Sequence, residues 1–331
     1  MLKSKEQIRV NKVLFLFVSL GYFLCLAQGS LAKPDTVKVG CYVISLHNFN
    51  FKDKEYDARF WLWMVYENPT ISFDKNIEIP NAKSFDINEI IIDSLVENGK
   101  KMKWVQMKIS CTMKQSWQIS SYPFDFQRLK ILIESTKYDT RDMVFVADTL
   151  GKSYYDPQLI VDGWDIKSFM VSTGVSRYAT SFGENALNKP ESQYANFGIC
   201  IDLQRNAWGI FFKLFLGMYV AFAIAYVSFY INPRVSDPRF GLPVGGLFAA
   251  VGNKYIVDEY LPDTSQLTIV DWLHALTFMM ILVIVIFSAY ALKLEQQRRT
   301  YKKTDKYSRI IVLTFYTTFN FIFILIAYLS S

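Results

Sequence analysis

Six residues in the second half of the chain, Gly241, Gly245, Phe248, Gly252, Ile256 and Glu259, recur at intervals of three or four. On an α-helix that spacing puts them on one face. Carboxylates stand near both ends of the stretch, Asp237 before it and Asp258 and Glu259 at its close. Acids placed this way attract cations, or are ordinary solvated charge at helix ends. The pattern for bond-making chemistry is missing. The chain has 2 histidines, His47 and His274, and no CxxC motif or Cys/His cluster, so neither a zinc site nor a histidine-based triad is indicated. The expected cofactor is none.

A second stretch, SYPFDFQRL at 121–129, sets Pro123 and Asp125 among the aromatics Tyr122, Phe124 and Phe126. It interrupts strand-like sequence, with MKISCTM before it and LKILIES after it. The proline turns the chain, and its peptide bond is a candidate for the cis form.

Both stretches need elements to position them. From 35 to 205 the pattern is β: TVKVGCYVISL, ARFWLWMVY, NIEIPN, MKWVQMKIS, QRLKILIES, DMVFVAD and WDIKSFMVS are short runs rich in Val, Ile and aromatics, parted by turn formers. In 60–66 both alternating faces are apolar, Phe60, Leu62, Met64 and Tyr66 on one and Trp61, Trp63 and Val65 on the other. One face is expected to pack on a second sheet and the other on a neighbouring subunit. The alternative is a strand wholly covered within its own chain. The fold expected over 33–206 is an all-β sandwich outside the cytoplasm.

After residue 207 the chain reads as membrane helices. Expected spans are 207–231, 239–257, 267–293 and 309–330, together the 207–331 domain. The second is rich in glycine, and loop charge decides its status. Residues 293–309 hold 7 Lys or Arg against Glu295 and Asp305, and Arg234 and Arg239 follow the first span. If both loops are cytoplasmic, a span must lie between them. The expected topology is a sandwich outside, a four-helix transmembrane bundle and an external C-terminus in the cell (inner) membrane. Residues 1–32 combine a basic flank, an apolar core and small residues, and read as a signal peptide, with an uncleaved anchor helix as the other reading. The net charge of +6 lies partly beside these apolar segments, so membrane lipid and not nucleic acid is the expected partner.

An exported β-sandwich followed by four helices resembles the pentameric ligand-gated ion channels, the Cys-loop receptor superfamily, over nearly all of the mature chain. SYPFDFQRL resembles the family's Cys-loop block of aromatic, proline, aromatic, aspartate, x and glutamine. The family's paired cysteines would fall at Gln115 and Leu129, so the disulfide is missing, as in the bacterial branch. Cys111 is near but at the wrong spacing. Arg205 sits where the family has an arginine before its first helix, and Gly217 where it usually has a proline. PRFGLP resembles the opening of the second helix and LPDTSQLTIVD the loop into the third.

The resemblance implies a homopentamer in which five copies of the second helix surround a path for monovalent cations. Phe248 becomes a hydrophobic gate, or else packs on the next helix. Asp237, Asp258 and Glu259 become charged rings. Tyr122, Pro123, Phe124, Asp125, Arg205, Leu261 and Pro262 become the coupling between sandwich and pore, with Arg205 facing Asp125. An unknown small ligand would bind between subunits near Trp61, Trp63, Tyr138, Tyr178 and Tyr194, with the hairpin 181–192 over it and Phe197 nearby. Thr136 replaces an aromatic found in amine receptors, and the segment after Tyr66 is short, so no amine is assigned. The inward face of the second helix lacks Ser and Thr. A non-conducting pentameric membrane sensor of the same fold is therefore the alternative. A membrane enzyme or transporter lacks a polar constellation, since Lys213, His274 and Asn320 stand isolated in the sequence.

Overall fold

The structure is a computed structural model that describes residues 33–148, 154–183, 191–262 and 266–330. The expected signal peptide and the centre of the hairpin 181–192 lie outside the described residues.

Among the described residues, eight strands build two sheets. They are β1 (Asp35–Asn50), β2 (Glu55–Tyr66), β3 (Ala82–Glu97), β4 (Lys100–Lys114), β5 (Phe126–Glu134), β6 (Met143–Ala147), β7 (Trp164–Tyr178) and β8 (Ser192–Arg205). The first sheet has the order β3-β4-β2-β1-β6 and the second β5-β8-β7. Pairing is antiparallel except between β1 and β6. Every second residue of the central strands faces inward, as a pleat demands. Val39, Cys41 and Val43, Phe60, Leu62 and Met64, and Val105, Met107 and Ile109 meet Leu129, Ile131 and Ile133 and Phe197, Ile199 and Ile201 in one core.

Three strand expectations need correction. NIEIPN forms no strand, only a bridge between Glu78 and Glu134. β3 and β8 are strands that the pattern did not reveal. β3 is an edge strand whose register shifts twice, at Ala82/Ser84 and Ile87/Glu89, so its alternation is broken. β8 lies between β5 and β7 and carries Asn196, Gly198 and Asp202 within it. The close approach of β7 explains the glycine: a Cβ at 198 would come within 3.0 Å of the Ser172 hydroxyl.

Four helices follow: α1 (Ala207–Val227), extended by a 3-10 turn (Ser228–Tyr230), α2 (Ser236–Asp258), α3 (Ile269–Gln296) and α4 (Lys302–Leu329). Each is long and apolar enough to cross a bilayer, and the chain is a multi-pass membrane protein. α2 has the lowest mean hydropathy, 1.2 against 2.0 to 2.5, which suits a helix that meets water. It begins three residues earlier than expected, so Asp237 lies in its first turn. Pro238 is tolerated there because first-turn amides need no helical acceptor. Pro243 sits buried inside α2 without ending it. α1 and α2 touch closely at Gly246, where a Cβ would meet the Ala221 carbonyl at 2.6 Å. α3 starts in a capping box: the Asp271 amide donates to the Thr268 hydroxyl, and the Thr268 amide to the Asp271 carboxylate.

Candidate functional site

The loop at 115–128 stands between the sandwich and the helices. The Tyr122–Pro123 peptide is cis. Asp125 is buried and receives two hydrogen bonds from Arg205, Nε to Oδ1 at 2.6 Å and Nη2 to Oδ2 at 3.1 Å. This fork is the favoured geometry for a guanidinium and a carboxylate. The Gln127 amide adds a third donor to Asp125 at 2.7 Å. The guanidinium is itself enclosed by the rings of Trp164, Phe51 and Tyr122, at 4.0, 4.7 and 4.9 Å from their centroids. Burial raises the Tyr122 phenol pKa; Arg205 opposes the shift and Asp125 adds to it. The loop therefore keeps its charge pair away from water, held by groups from four separate segments.

No disulfide closes this loop. Where the cysteine pair would stand, Gln115 donates its side-chain amide to the Arg128 carbonyl at 3.1 Å. Inside it, Gln118 and Gln127 bond reciprocally, backbone to side-chain amide, at 3.0 and 2.8 Å. Cys41, Cys111 and Cys200 are free thiols, and burial pushes the pKa of the first two up to about 12.

Three contacts tie the loop to the helices. Phe124 packs against Trp208 and Phe211 of α1 and Tyr328 of α4, with centroids 5.3 to 6.1 Å apart. The Ser120 carbonyl accepts from the Ile269 amide, the first residue of α3, at 3.1 Å. The Ser121 and Ser330 hydroxyls lie 2.8 Å apart, which puts the end of α4 on the sandwich side of the bundle. Leu261 and Pro262 are buried in the link from α2 to α3. Beside them a cleft of 810 Å³ runs between the sandwich and the helices, with Tyr122, Arg205, Glu259 and Tyr260 on its walls.

α2 shows two sides. Arg239, Pro243, Gly246, Ala250 and Val257 are buried against the other helices. Gly241, Gly245, Phe248, Gly252, Ile256 and Glu259 are all exposed in the protomer, Phe248 at 72%. A Cβ at Gly241, Gly245 or Gly252 would meet nothing within 4 Å. Tyr255, absent from the sequence expectation, is exposed beside Ile256. The end charges differ from one another. Asp258 pairs with Lys254, which also reaches Asp271 at 2.8 Å. Among the described residues Glu259 has no cationic partner. At the other end Arg239 is fully buried and forks onto Asp305 of α4 at 2.6 and 3.0 Å.

Of the three polar span residues that stand isolated in the sequence, Lys213, His274 and Asn320, two have partners on other helices. His274 bonds to Asn253 of α2 at 3.1 Å, and Asn320 to the Tyr219 hydroxyl at 3.2 Å. Their partners lie far away in sequence, on other helices, so no local signal reveals them. Lys213 is exposed.

The aromatic rings expected around a ligand separate into groups. Trp61 lies on the first sheet under Lys108, whose ammonium is 5.1 Å from the ring. Trp63 is committed within the chain: its Nε1 donates to Asp148 at 2.9 Å, and its ring lies where a side chain at Gly40 would collide, at 2.4 Å. Both contacts hold the Trp63 ring against its own sheet. The Tyr138 hydroxyl is held by the Ser72 amide and the Thr70 carbonyl, at 3.1 and 3.3 Å. Tyr178 and Tyr194 form a cluster with Phe182, centroids 5.6 to 6.4 Å apart. Phe197 is fully buried in the core, away from any surface site.

Beneath the Tyr178 cluster lies a carboxylate that the sequence did not flag. Glu134 is fully buried and accepts from the Tyr178 hydroxyl at 2.8 Å and from the Ser176 hydroxyl. Burial and the hydrogen bond to Glu134 raise the Tyr178 phenol. Glu78 lies opposite; burial and, second, the charge of Glu134 raise its pKa.

No family model matches the chain. It is 22% identical over 201 residues to glycine receptor subunit beta of Rattus norvegicus and of Homo sapiens, covering 59% of this chain and 38% of each relative. It is 20% identical over 211 residues to gamma-aminobutyric acid receptor subunit beta of Caenorhabditis elegans, covering 60% of this chain and 36% of that protein. The matched part is thus under two-fifths of the length of these relatives. Their similarity joins the two-sheet sandwich, the four membrane-length helices and the proline–aspartate loop between them, a combination that fits the Cys-loop receptor superfamily.

Proposed function

We propose that the chain is the subunit of a homopentameric ligand-gated ion channel that prefers monovalent cations. The observation that carries this reading is the bare stripe of α2, turned away from its own bundle from Gly241 to Glu259. Five such stripes around an axis make a water path, and cyclic symmetry turns Phe248 into a hydrophobic ring and Glu259 into an acidic one. Asp237 supplies a second acidic ring at the opposite mouth. Asp258 shares its charge with Lys254, so Glu259 carries most of the field at the sandwich end. The agonist is an unidentified small ligand acting on the sandwich, and the loop around Asp125 passes its effect to α1, α3 and α4. The sandwich and the C-terminus lie outside the cytoplasm of the cell membrane.

Flux of cations through reconstituted vesicles tests the reading. Phe248→Ala is expected to raise the resting leak. The stripe also offers three glycines and no hydroxyl to a permeating ion. That observation favours the second reading, a pentameric sensor that does not conduct, in which neither wild type nor Phe248→Ala passes ions.

A further inference from the structure

His274 and Asn253 form a polar contact between α3 and α2 in the interior of the bundle. His274 is fully buried. Its Nδ1 lies 2.8 Å from the Val270 carbonyl oxygen, and its Nε2 lies 3.1 Å from Oδ1 of Asn253. The other end of the Asn253 amide fixes which atom the imidazole meets: Nδ2 donates to the Leu214 carbonyl of α1 at 3.0 Å. Turning the amide over would set Oδ1 against that carbonyl, two acceptors without a proton between them. Both ring nitrogens of His274 therefore face acceptors. A neutral imidazole has one N–H and satisfies one of them, whereas an imidazolium has two and satisfies both.

We propose that His274 is a buried proton-binding site, and that a proton taken from water completes a hydrogen-bonded chain from α3 through Asn253 to α1. Loss of that proton sets the lone pair of one ring nitrogen against an oxygen, that of Val270 or of Asn253, in a dry interior, which costs stability there.

Lys254 and Asp258 of α2 and Asp271 of α3 are the charged groups that face the ring. Lys254 bridges the two carboxylates, so one negative charge remains in excess. α1 faces His274 with Phe215, ring centroids 5.8 Å apart, and brings no charge. α4 reaches the next turn of α3 through the neutral Tyr316–Thr277 pair at 3.0 Å. Space for the amide comes from Gly217, where a Cβ would stand 3.1 Å from Asn253 Nδ2. Asn253 follows Gly252 of the bare stripe directly, so the contact fixes how α2 is turned against α1 and α3. Its consequence for conduction rests on the channel reading; the proton site itself does not.

The test is a pH titration of the full chain in lipid bilayers, followed by nitrogen NMR of 15N-labelled histidine. With 2 histidines in the sequence, His47→Gln leaves His274 as the sole signal. The expected result is two protonated ring nitrogens at acidic pH, passing to a single neutral tautomer as pH rises. Asn253→Leu removes the acceptor and is expected to move the midpoint down by at least one pH unit, a tenfold change in proton affinity. Asn253→Asp keeps an acceptor and adds charge, and should move it up. A neutral ring down to the pH of unfolding would overturn the proposal, as would midpoints unchanged in both variants. The readout needs no ion flux, so a channel that fails to conduct and a proton site that fails to titrate are separate results.

Discussion

Replacing Asp125 by Ala removes the partner of a guanidinium that has almost no contact with water. The side chains of Arg205 and Asp125 are 7% and 1% exposed. Truncating one member of such a pair leaves the other charge buried and unpaired, at a cost of about 3–5 kcal/mol. Here the lower end applies, because the rings of Trp164, Phe51 and Tyr122 still enclose the cation after the carboxylate is gone. Gln127 loses one acceptor but keeps the Gln118 carbonyl at 2.8 Å. About 3 kcal/mol corresponds to a drop of about 6–12 °C in the melting temperature of a domain of this size. The assay is thermal unfolding of the purified full chain in detergent, followed by near-ultraviolet circular dichroism. Arg205→Met and the double variant complete a cycle. The double variant should be markedly less destabilised than the sum of the single ones, since it leaves no orphan charge. A change of under about 2 °C for Asp125→Ala, which is below 1 kcal/mol, together with simple additivity in the cycle, would refute the reasoning.

Three further outcomes follow from other parts of the molecule. Burial and the neighbouring Glu134 raise the pKa of Glu78, so its proton is held more tightly in the folded state. Its stabilising share is present below the unfolded carboxylate range and is lost as pH rises through the raised value; Glu78→Gln should therefore be more stable than wild type above that point and equal to it below, read from melting temperature against pH. Gly246→Ala brings a methyl within 2.6 Å of the Ala221 carbonyl and should destabilise the bundle by about 1–3 kcal/mol, whereas Gly245→Ala enters open space and should not lower the melting temperature. Among the described thiols, the partly exposed Cys200 should react first with maleimide under native conditions, while Cys41 and Cys111 wait for unfolding, as read by peptide mass spectrometry.

The helices were legible because membrane length and hydropathy are local properties, written in consecutive residues. The stripe on α2 was legible for the same reason, since a helix converts spacing into direction. The Asp125–Arg205 pair was reached through the family motif, but its aromatic enclosure was not. Phe51 and Trp164 come from a turn and a strand distant in sequence, and only tertiary packing brings them around the guanidinium. The Asn253–His274 contact was hidden likewise: in the sequence His274 stands isolated, and only the meeting of two helices brings Asn253 to it. β3 escaped notice because two register shifts break its alternation, and β8 because a glycine and polar residues interrupt its apolar run. The aromatics expected at a ligand site show the opposite limit. Residue type alone did not separate Trp63, fixed over Gly40 and bonded to Asp148, from Tyr178 and Tyr194, which remain at the surface cluster with Phe182.

The central claim is that the bare stripe of α2 lines a path for cations. It is tested most directly by the reversal potential of currents through Phe248→Ala channels in a planar bilayer between unequal KCl solutions. The account predicts currents that reverse near the potassium equilibrium potential and move toward the chloride potential when Glu259→Lys is added. Pentamers that carry no current even with the phenylalanine removed, or currents that reverse at the chloride potential with Glu259 intact, would contradict it.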